Sequence, residues 1–202
     1  DDRVVVDFAM NSVCAAGCGA FLDTQAGRLG IPISDFGELS LRSTTEVNIA
    51  GRCTVFAESD MIHKQQTGAK VEDIIWGLCR SMVRNYMNNV GKGKEISGPI
   101  IFQGGVSQNI GIKKAFEEEL GQKVTVPEHN KMMGALGSAL LAMDGHVREG
   151  WGSKFRGWEI TDEDIECTSF SCTGCPNKCE VIEARIGGKV VSRWGDRCGK
   201  WS

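Results

Sequence analysis

The chain has 202 residues, of which 41% are hydrophobic and 24% are charged, and its formal net charge is −3. Such a composition is typical of a globular chain with enough residues for one core and a small appendage. The mildly acidic balance and the scattered basic residues argue against nucleic-acid binding. No apolar run approaches the roughly 20 residues needed to span a bilayer, so we expect no membrane segment, no signal peptide and a cytoplasmic location.

The chain contains nine cysteines. Their number is odd and nothing in the sequence indicates secretion, so metal binding or redox chemistry is a better interpretation than a disulfide framework. The sequence also begins at Asp1 without a methionine and continues directly into the β-rich run Val4-Val5-Val6. We therefore expect it to be a segment of a longer polypeptide.

Strand-like and helical patterns alternate over the first three-quarters of the chain. A β-rich run at residues 4–10 leads into a helix that glycines open and Gly30 closes. A short strand at residues 47–49 precedes a helix over about residues 55–66. The clearest helix covers residues 71–90, because its apolar side chains recur at three- and four-residue spacing and acidic side chains occupy its first turn.

The same alternation continues towards the C-terminus. A buried strand at residues 99–103 ends in the sharp turn Gly104-Gly105, and a helix over residues 109–120 follows. A strand at residues 124–126 and a helix at residues 132–143 complete the series. This β-α-β-α order predicts an α/β domain.

The composition changes near Asp144-Gly145. We therefore predict three segments: an α/β domain over residues 1–146, a linker over residues 147–160 and a small cysteine-rich β module over residues 161–202. In the last of these, two β-rich stretches joined by Gly187-Gly188 predict a β-hairpin.

Two cysteines, Cys14 and Cys53, each lie where a predicted strand passes into a predicted helix. A thiolate at a helix N-terminus faces unpaired amide groups and the positive end of the helix dipole, and an anionic iron–sulfur cluster benefits from the same surroundings. The alternative is that both are buried small hydrophobic residues. Two cysteines are too few for a four-iron cluster, so the cluster interpretation requires a symmetric dimer.

Two glycine motifs are candidate nucleotide contacts. Gly17-Cys18-Gly19 opens a predicted helix, and Gly104-Gly105 follows an apolar strand with Gln108 close behind. Glycines allow ribose, phosphate or a purine to approach the backbone closely, and a helix start offers amide donors. The alternative is an ordinary strand-to-helix turn.

The C-terminal segment contains a C-x2-C-x3-C motif formed by Cys172, Cys175 and Cys179. Closely spaced thiolates with one more returned by a hairpin match tetrahedral four-sulfur ligation. Zinc and an iron–sulfur cluster both remain possible there. Cys167 and Cys198 compete for the fourth position. We favour Cys198, because a small β-rich module needs a stabilising cross-link across its hairpin.

Four segments resemble the activators of 2-hydroxyacyl-CoA dehydratases and the related ATPase subunits of benzoyl-CoA reductase. They are Phe8 to Asp23, Cys53 to Ser59, Gly104 to Asn109 and Gly134 to Ala139, in order within residues 4–143. The resemblance implies an actin-like ATPase fold, that of the acetate and sugar kinase, heat-shock and actin superfamily. It also implies bound ATP or ADP with Mg²⁺, and a homodimer.

The resemblance also implies roles for individual residues. Cys14 and Cys53 of two subunits would hold one bridging 4Fe-4S cluster. The nucleotide would contact a set of small and polar residues, namely Ala16, Gly17, Gly19, Gly104, Gly105 and Gln108. ATP binding and hydrolysis would drive a low-potential electron into a dehydratase- or reductase-like partner, separate or fused. No catalytic residue is identified.

The sequence departs from this family in three respects. The phosphate-gripping N-terminal subdomain is not found before Asp1, so we expect ATPase activity in the parent protein and little hydrolysis by this segment alone. Cys18 occupies a position that is usually threonine. The extension beyond Met143 resembles very large fused members of the family.

Two other functions remain open from the sequence. The chain could be a non-catalytic docking module that binds zinc through its C-terminal cysteines on an actin-like scaffold. It could also be a relative of sugar kinases, which would need a sugar-binding acid and neither Cys14 nor Cys53. No such acid is identified in the sequence.

Overall fold

The computed structural model describes residues 5–11, 19–51, 53–150, 152–153 and 155–201. The chain divides into two compact units, an N-terminal unit of residues 1–143 and a C-terminal unit of residues 144–202. A search of the described residues finds no helix that is both long and apolar enough to span a membrane.

The N-terminal unit is rich in helices, and most of them occur where the sequence predicts them. Their bounds are Gly19–Leu29 (α1), Ile33–Ser40 (α2), Thr54–Gln66 (α3), Val71–Tyr86 (α4), Ile110–Leu120 (α5) and Met133–Glu149 (α6). A π-helical turn, Met87–Gly91, continues α4, and a 3-10 turn, Gly105–Gln108, precedes α5. Helix α6 continues past its predicted end at Met143, and α2 was not predicted.

Helix α4 is the centre of the core. Its residues Ile74, Ile75 and Leu78 have no exposed surface, and the helix contacts α2, α3 and α5. Burial of such a side chain contributes about 1.5–3 kcal/mol. The three- and four-residue spacing that predicted the helix therefore also identifies the face on which the unit is built. Phe36 of α2 is buried in the same core.

The sheet of the N-terminal unit is small in the described residues. Ile100–Ile101 (β1) pairs in parallel with Val124–Thr125 (β2). The strand predicted at residues 47–49 is not formed. Side chains bind the backbone at its end instead, where Arg84 Nη2 donates to the Ile49 carbonyl at 3.0 Å. Ser81 Oγ donates to the Ala50 carbonyl at 2.8 Å, and Asp60 accepts from the Ala50 amide at 2.8 Å.

The predicted strand at residues 4–10 is also absent from its described part. Residues 5–10 pair with no other strand among the described residues, and their side chains are exposed. A β-rich composition states only that a residue fits a pleated and half-buried surface, so it does not form a strand without a neighbouring strand.

A buried carboxylate ties the loop after α2 to the core. Oδ1 of Asp73, at the start of α4, accepts hydrogen bonds from the Thr45 amide at 2.9 Å, the Thr44 amide at 2.7 Å and the Ser43 hydroxyl at 2.8 Å. The hydrogen bond from Thr45 has the largest effect on the pKa of Asp73. Together with the other two hydrogen bonds it outweighs burial, which raises this pKa. The pKa of Asp73 is consequently lowered from its ordinary value of 3.8.

We expect Asp73→Asn to lower the free energy of unfolding of the N-terminal unit by about 2 kcal/mol at pH 7, because hydrogen bonds to a charged acceptor are the strong ones. A carboxyl whose folded-state pKa is lowered stabilises the fold above its ordinary pKa, and this stabilisation is lost as the pH falls through the lowered value. The difference between variant and parent should therefore close in acid. Urea denaturation followed by helical circular dichroism measures it.

Glu72→Gln is the matched control for that experiment. It removes a charge from the same first turn of α4 without touching the loop, so it reports the helix-dipole contribution alone, about 0.3–1 kcal/mol. Equal losses in the two variants would show that the three hydrogen bonds of Asp73 add nothing specific.

The C-terminal unit is built on a three-stranded antiparallel sheet. Its strands are Ile165–Ser171 (β3), Glu180–Ile186 (β4) and Lys189–Trp194 (β5), in the order β3-β4-β5. The predicted hairpin is confirmed as β4 and β5. Gly187 and Gly188 have φ angles of 55° and 77°, and such positive values favour glycine and suit a two-residue hairpin turn.

A charge cluster ties β4 to β5. Glu183 pairs directly across from Arg193, and its carboxylate lies 2.6 Å from that guanidinium and 2.6 Å from Arg185. The hydrogen bond from Arg193 has the largest effect on the pKa of Glu183 and, together with Arg185, lowers it from its ordinary value. The cluster fixes the register on one face of the sheet.

Candidate functional site

A cavity of about 800 Å³ lies among the start of α1, helix α2 and the turn before α5. Gly19, Gly105 and Gln108 line it together, although they are far apart in the sequence. These are three of the six residues predicted to contact a nucleotide. The cavity is therefore the candidate functional site of the N-terminal unit.

The walls of the cavity are set by close backbone approaches. A Cβ at Gly19 would lie 3.2 Å from Cγ2 of Val106, so the start of α1 rests on the turn before α5. A Cβ at Gly37 would lie 3.0 Å from both Oδ1 of Asn109 and the Ile110 amide nitrogen, so α2 rests on the start of α5. Larger side chains at these positions would push the elements around the cavity apart.

The turn at Gly104 and Gly105 is held by hydrogen bonds on its far side. Gly104 has φ 93°, which favours glycine, and its amide donates to the Asn130 carbonyl at 2.8 Å. Its carbonyl accepts from Ser107 Oγ at 2.7 Å, and Asn130 Nδ2 donates to that same Oγ at 2.6 Å. The turn is thus supported by buried partners while Gly105 and Gln108 face the cavity.

Asn109 caps the helix that leaves this turn. Its Oδ1 accepts from the Ile112 amide at 3.1 Å, which fixes the orientation of the side-chain amide. Its Nδ2 is buried and finds no hydrogen-bond acceptor among the described residues. A buried donor without an acceptor is costly, so this side chain is held in place by its cap hydrogen bond at the expense of its amide nitrogen.

Two carboxylates that the sequence did not single out also line the cavity. They belong to Asp23 on α1 and Glu38 on α2. Carboxylates repel phosphates but accept hydrogen bonds from ribose hydroxyls, so they suit the sugar side of a nucleotide. Glu38 gave no sequence signal, because only the packing of α2 against α1 and α5 brings it to the cavity.

Cys53 lies outside this cavity, at the start of α3. It is the extended N-cap residue of the helix, its carbonyl accepts from the Ala57 amide at 3.0 Å, and its thiol is free and half-buried. Cys79 of α4, by contrast, has no exposed surface, and burial raises the pKa of its thiol to about 12. Only Cys53 of these two is suited to ligation.

The surface beside Cys53 is apolar. Val55 and Phe56, in the first turn of α3, are 66% and 64% exposed. The half-buried Cys53 thiol is therefore followed, two and three residues on, by two exposed apolar side chains.

Residues 1–142 match the family described as the BadF/BadG/BcrA/BcrD ATPase family. The chain belongs to this ATPase family.

Curated members of the BadF/BadG/BcrA/BcrD family show the same relationship. The (R)-2-hydroxyglutaryl-CoA dehydratase activating ATPase of Acidaminococcus fermentans is 40% identical over 145 residues, which are 70% of this chain and 54% of the relative. A benzoyl-CoA reductase subunit of Thauera aromatica is 30% identical over 154 residues, 73% of this chain and 55% of the relative. The chain thus spans about half the length of these relatives.

A solved structure shows the fold. The activator of the 2-hydroxyisocaproyl-CoA dehydratase from Clostridium difficile, with bound ADPNP, superimposes with a TM-score of 0.65 at 35% identity. The match covers 75% of this chain and 57% of that one. The predicted α/β, actin-like ATPase fold is therefore confirmed for the family region.

The structure places the other predicted nucleotide residues as follows. Gly104 lines a second, largely apolar cavity of about 460 Å³, and Gly105 and Val106 line both this cavity and the first. Ala16, Gly17 and the predicted cluster ligand Cys14 lie outside the described residues. The roles of all these residues in the ATPase remain predictions.

The C-terminal cysteines lie beyond the region that matches the ATPase family. Among the described residues, no three His, Cys, Asp or Glu side chains are grouped closely enough to hold a metal ion. Cys172 is nevertheless unusual. It is buried, and hydrogen bonds to its sulfur, first from Trp201 Nε1 and then from the Gly174 amide, lower the pKa of its thiol.

Proposed function

We propose that the chain is the adenosine-side half of an ATP-dependent electron-transfer activator. One observation carries the proposal: Gly19, Gly105 and Gln108, predicted as nucleotide contacts from separate motifs, line a single cavity. The relatives of the chain are named as activating ATPases and activators of CoA-substrate dehydratases. The parent protein would bind ATP or ADP with Mg²⁺ at this cavity.

Different residues of the cavity would contact different parts of the nucleotide. Gly105 leaves the backbone open to a flat base or sugar, and Asn109 and Ile110 bring the start of α5 to the cavity wall. Asp23 and Glu38 would accept hydrogen bonds from the ribose hydroxyls. Ala16 and Gly17, which the family resemblance assigns to the same nucleotide, would extend the contact surface.

Cys53 would be one of two ligands that each subunit of a homodimer gives to a bridging 4Fe-4S cluster, the other being Cys14. Its half-buried thiol at the N-terminus of α3 and the exposed Val55 and Phe56 beside it fit this role. The amide groups of the first helical turn would stabilise the negative charge of the thiolate. When bound, the cluster would supply a low-potential electron.

Helices α1 and α3 would connect nucleotide and cluster. Helix α1 begins at the cavity and α3 begins at Cys53, and Arg28 of α1 lies 2.9 Å from Glu58 of α3. The two side chains are 48% and 30% exposed, so the pair contributes at most about 1 kcal/mol and does not lock the helices together. A change in helix angle on nucleotide exchange would therefore meet little resistance here.

The acceptor of the electron would be a dehydratase- or reductase-like protein, separate or fused. This partner class follows from the names of the relatives, which activate dehydratases or form part of benzoyl-CoA reductase. The sugar-kinase interpretation has no support from these names. A non-catalytic zinc-binding role would leave the cavity unexplained.

Nucleotide titration tests the proposal. We expect one fluorescent ADP analogue to bind per chain and to be displaced by ATP and ADP. Because Glu38 and Asp23 would accept from the ribose hydroxyls, 2′,3′-dideoxy-ATP should compete roughly tenfold less well. Equal competition by the dideoxy nucleotide would contradict the ribose assignment, and the absence of saturable binding would contradict the proposed function.

A further inference from the structure

The loop between β3 and β4 brings two cysteines side by side. The last pair of the ladder is Ser171 with Glu180, and the next residues inward, Cys172 and Cys179, are joined by an amide-to-carbonyl hydrogen bond of 2.8 Å. Residues directly opposite each other in an antiparallel pair project from the same face, with Cβ atoms about 4.5–5.5 Å apart. The Cys172 and Cys179 thiols therefore lie on the same face of the sheet, at the end where the loop joins β3 to β4.

The C-terminal turn returns to this same end. Trp201 Nε1 donates to Cys172 Sγ at 3.3 Å, and the Trp201 ring packs edge-on against Phe170 with centroids 5.1 Å apart. A Cβ on Gly174, inside the loop, would lie 3.3 Å from Lys200 Nζ. The C-terminal turn that carries Cys198 thus contacts this loop through Trp201 and the end of the Lys200 side chain.

Cys167 does not reach this place. It lies within β3 and pairs with Ala184, five residues before Cys172. Successive side chains of a strand point to opposite faces, so an odd separation puts Cys167 and Cys172 on opposite faces. At about 3.3 Å per residue the two are also some 16 Å apart along the strand. The strand geometry therefore argues against Cys167 and supports the sequence-based preference for Cys198 as the fourth ligand.

We propose that Cys172, Cys175, Cys179 and Cys198 bind a single tetrahedral divalent ion of the thiolate-preferring class, Zn²⁺ or Fe²⁺. Zinc–sulfur bonds of about 2.3 Å put the sulfurs of a tetrahedral site about 3.8 Å apart, which neighbouring residues of an antiparallel pair can meet. The four sulfurs are not grouped in the described structure, and the Cys198 thiol lies 4.0 Å from Asp196 Oδ2. Ion binding therefore requires the side chains of Cys175 and Cys198 to rotate towards Cys172 and Cys179, and both are exposed, so this rotation meets no packed core. Ion binding releases the thiol protons to solvent.

Trp201 is a positioning residue of this site. Its indole N–H and the Gly174 amide both donate to Cys172 Sγ, at 3.3 and 3.4 Å. Such donors orient a ligating sulfur and stabilise its negative charge. Trp201 also covers the face on which the ion would lie, since its ring contacts Phe170.

The test uses the full chain with Cys14→Ser and Cys53→Ser, so that it does not depend on the proposed bridging cluster. After anaerobic purification and dialysis against a weak chelator, elemental analysis should find one zinc or iron per chain and no acid-labile sulfide. Cys198→Ser should lose this metal, and Cys167→Ser, the matched control, should keep it. Trp201→Phe, which keeps an aromatic ring at this position but removes the indole N–H donor, should bind the ion roughly 10- to 100-fold more weakly.

Cobalt substitution gives a second readout that is independent of folding defects in the variants. The parent chain loaded with Co²⁺ should show the intense visible absorption of tetrahedral thiolate coordination. Loss of metal from Cys167→Ser to the same extent as from Cys198→Ser would overturn the proposed ligand set. Iron accompanied by sulfide would overturn the single ion in favour of a cluster, and a metal-free parent chain would overturn the site.

Discussion

Cys53→Ser should abolish assembly of the bridging iron–sulfur cluster. A [4Fe-4S] cluster needs four thiolates, and a dimer with one cysteine from each subunit would supply two. After anaerobic reconstitution with iron and sulfide, we expect the variant to lose about two iron ions per chain and the broad visible absorption of the cluster. Iron and sulfide analysis combined with size-exclusion chromatography measures both the cluster and the dimer.

The Cys53→Ser experiment needs a background substitution that removes other bound iron, and a matched control. Cys198→Ser in every chain removes the proposed C-terminal ion, so that the remaining iron reports the bridging cluster alone. Cys167→Ser is the matched control, because this thiol is free and exposed on β3. A Cys53→Ser chain that assembled the full complement of iron would disprove the assignment of Cys53, whatever the C-terminal cysteines do.

Gly105→Leu should prevent nucleotide binding without unfolding the protein. A Cβ at Gly105 would meet no described heavy atom within 4 Å, and its φ is not in the positive range. The new side chain therefore occupies open space at the border of the two cavities that Gly105 lines, instead of clashing with the backbone. We expect affinity for the fluorescent ADP analogue to fall roughly a hundredfold or more, and stability to change by no more than about 0.5 kcal/mol.

Gly27→Leu is the matched control for steric filling. Gly27 lies on α1, has no described heavy atom within 4 Å of its added Cβ, and does not line the cavity. Replacing a helical glycine should stabilise α1 by up to about 1 kcal/mol and leave nucleotide affinity unchanged. Unchanged affinity in Gly105→Leu would place the nucleotide elsewhere, and a large loss of stability would show that the turn does not tolerate a side chain.

Much of the helical structure could be predicted because its signals are local. The apolar spacing and acidic first turn of α4 and the glycine stop of α1 depend on neighbours within a few residues. The hairpin of β4 and β5 was equally visible, since Gly187-Gly188 sets its turn. Helix α2 was missed, because eight residues give little more than two turns of pattern.

The prediction of a strand at residues 47–49 was wrong, and the reason is non-local. The β-branched residues of this segment fit a strand, but Arg84 donates to the Ile49 carbonyl, and Ser81 and Asp60 bind the backbone of Ala50 just beyond it. The sequence contains no sign of this competition, because the two donors lie on α4 and the acceptor lies on α3, and tertiary packing brings both helices to the segment. The carboxylates of Asp23 and Glu38 could not be assigned to the cavity for the same reason.

The sequence by itself therefore determined the family, the α/β fold and the residue types at the proposed sites, because motifs and periodicity are local properties of the chain. Tertiary structure alone decided which of those residues meet. It joined Gly19 to Gly105 and Gln108 around one cavity. It also separated Cys167 from Cys172, because the alternation of side chains along a paired strand, and not the distance in sequence, decides which face each one occupies.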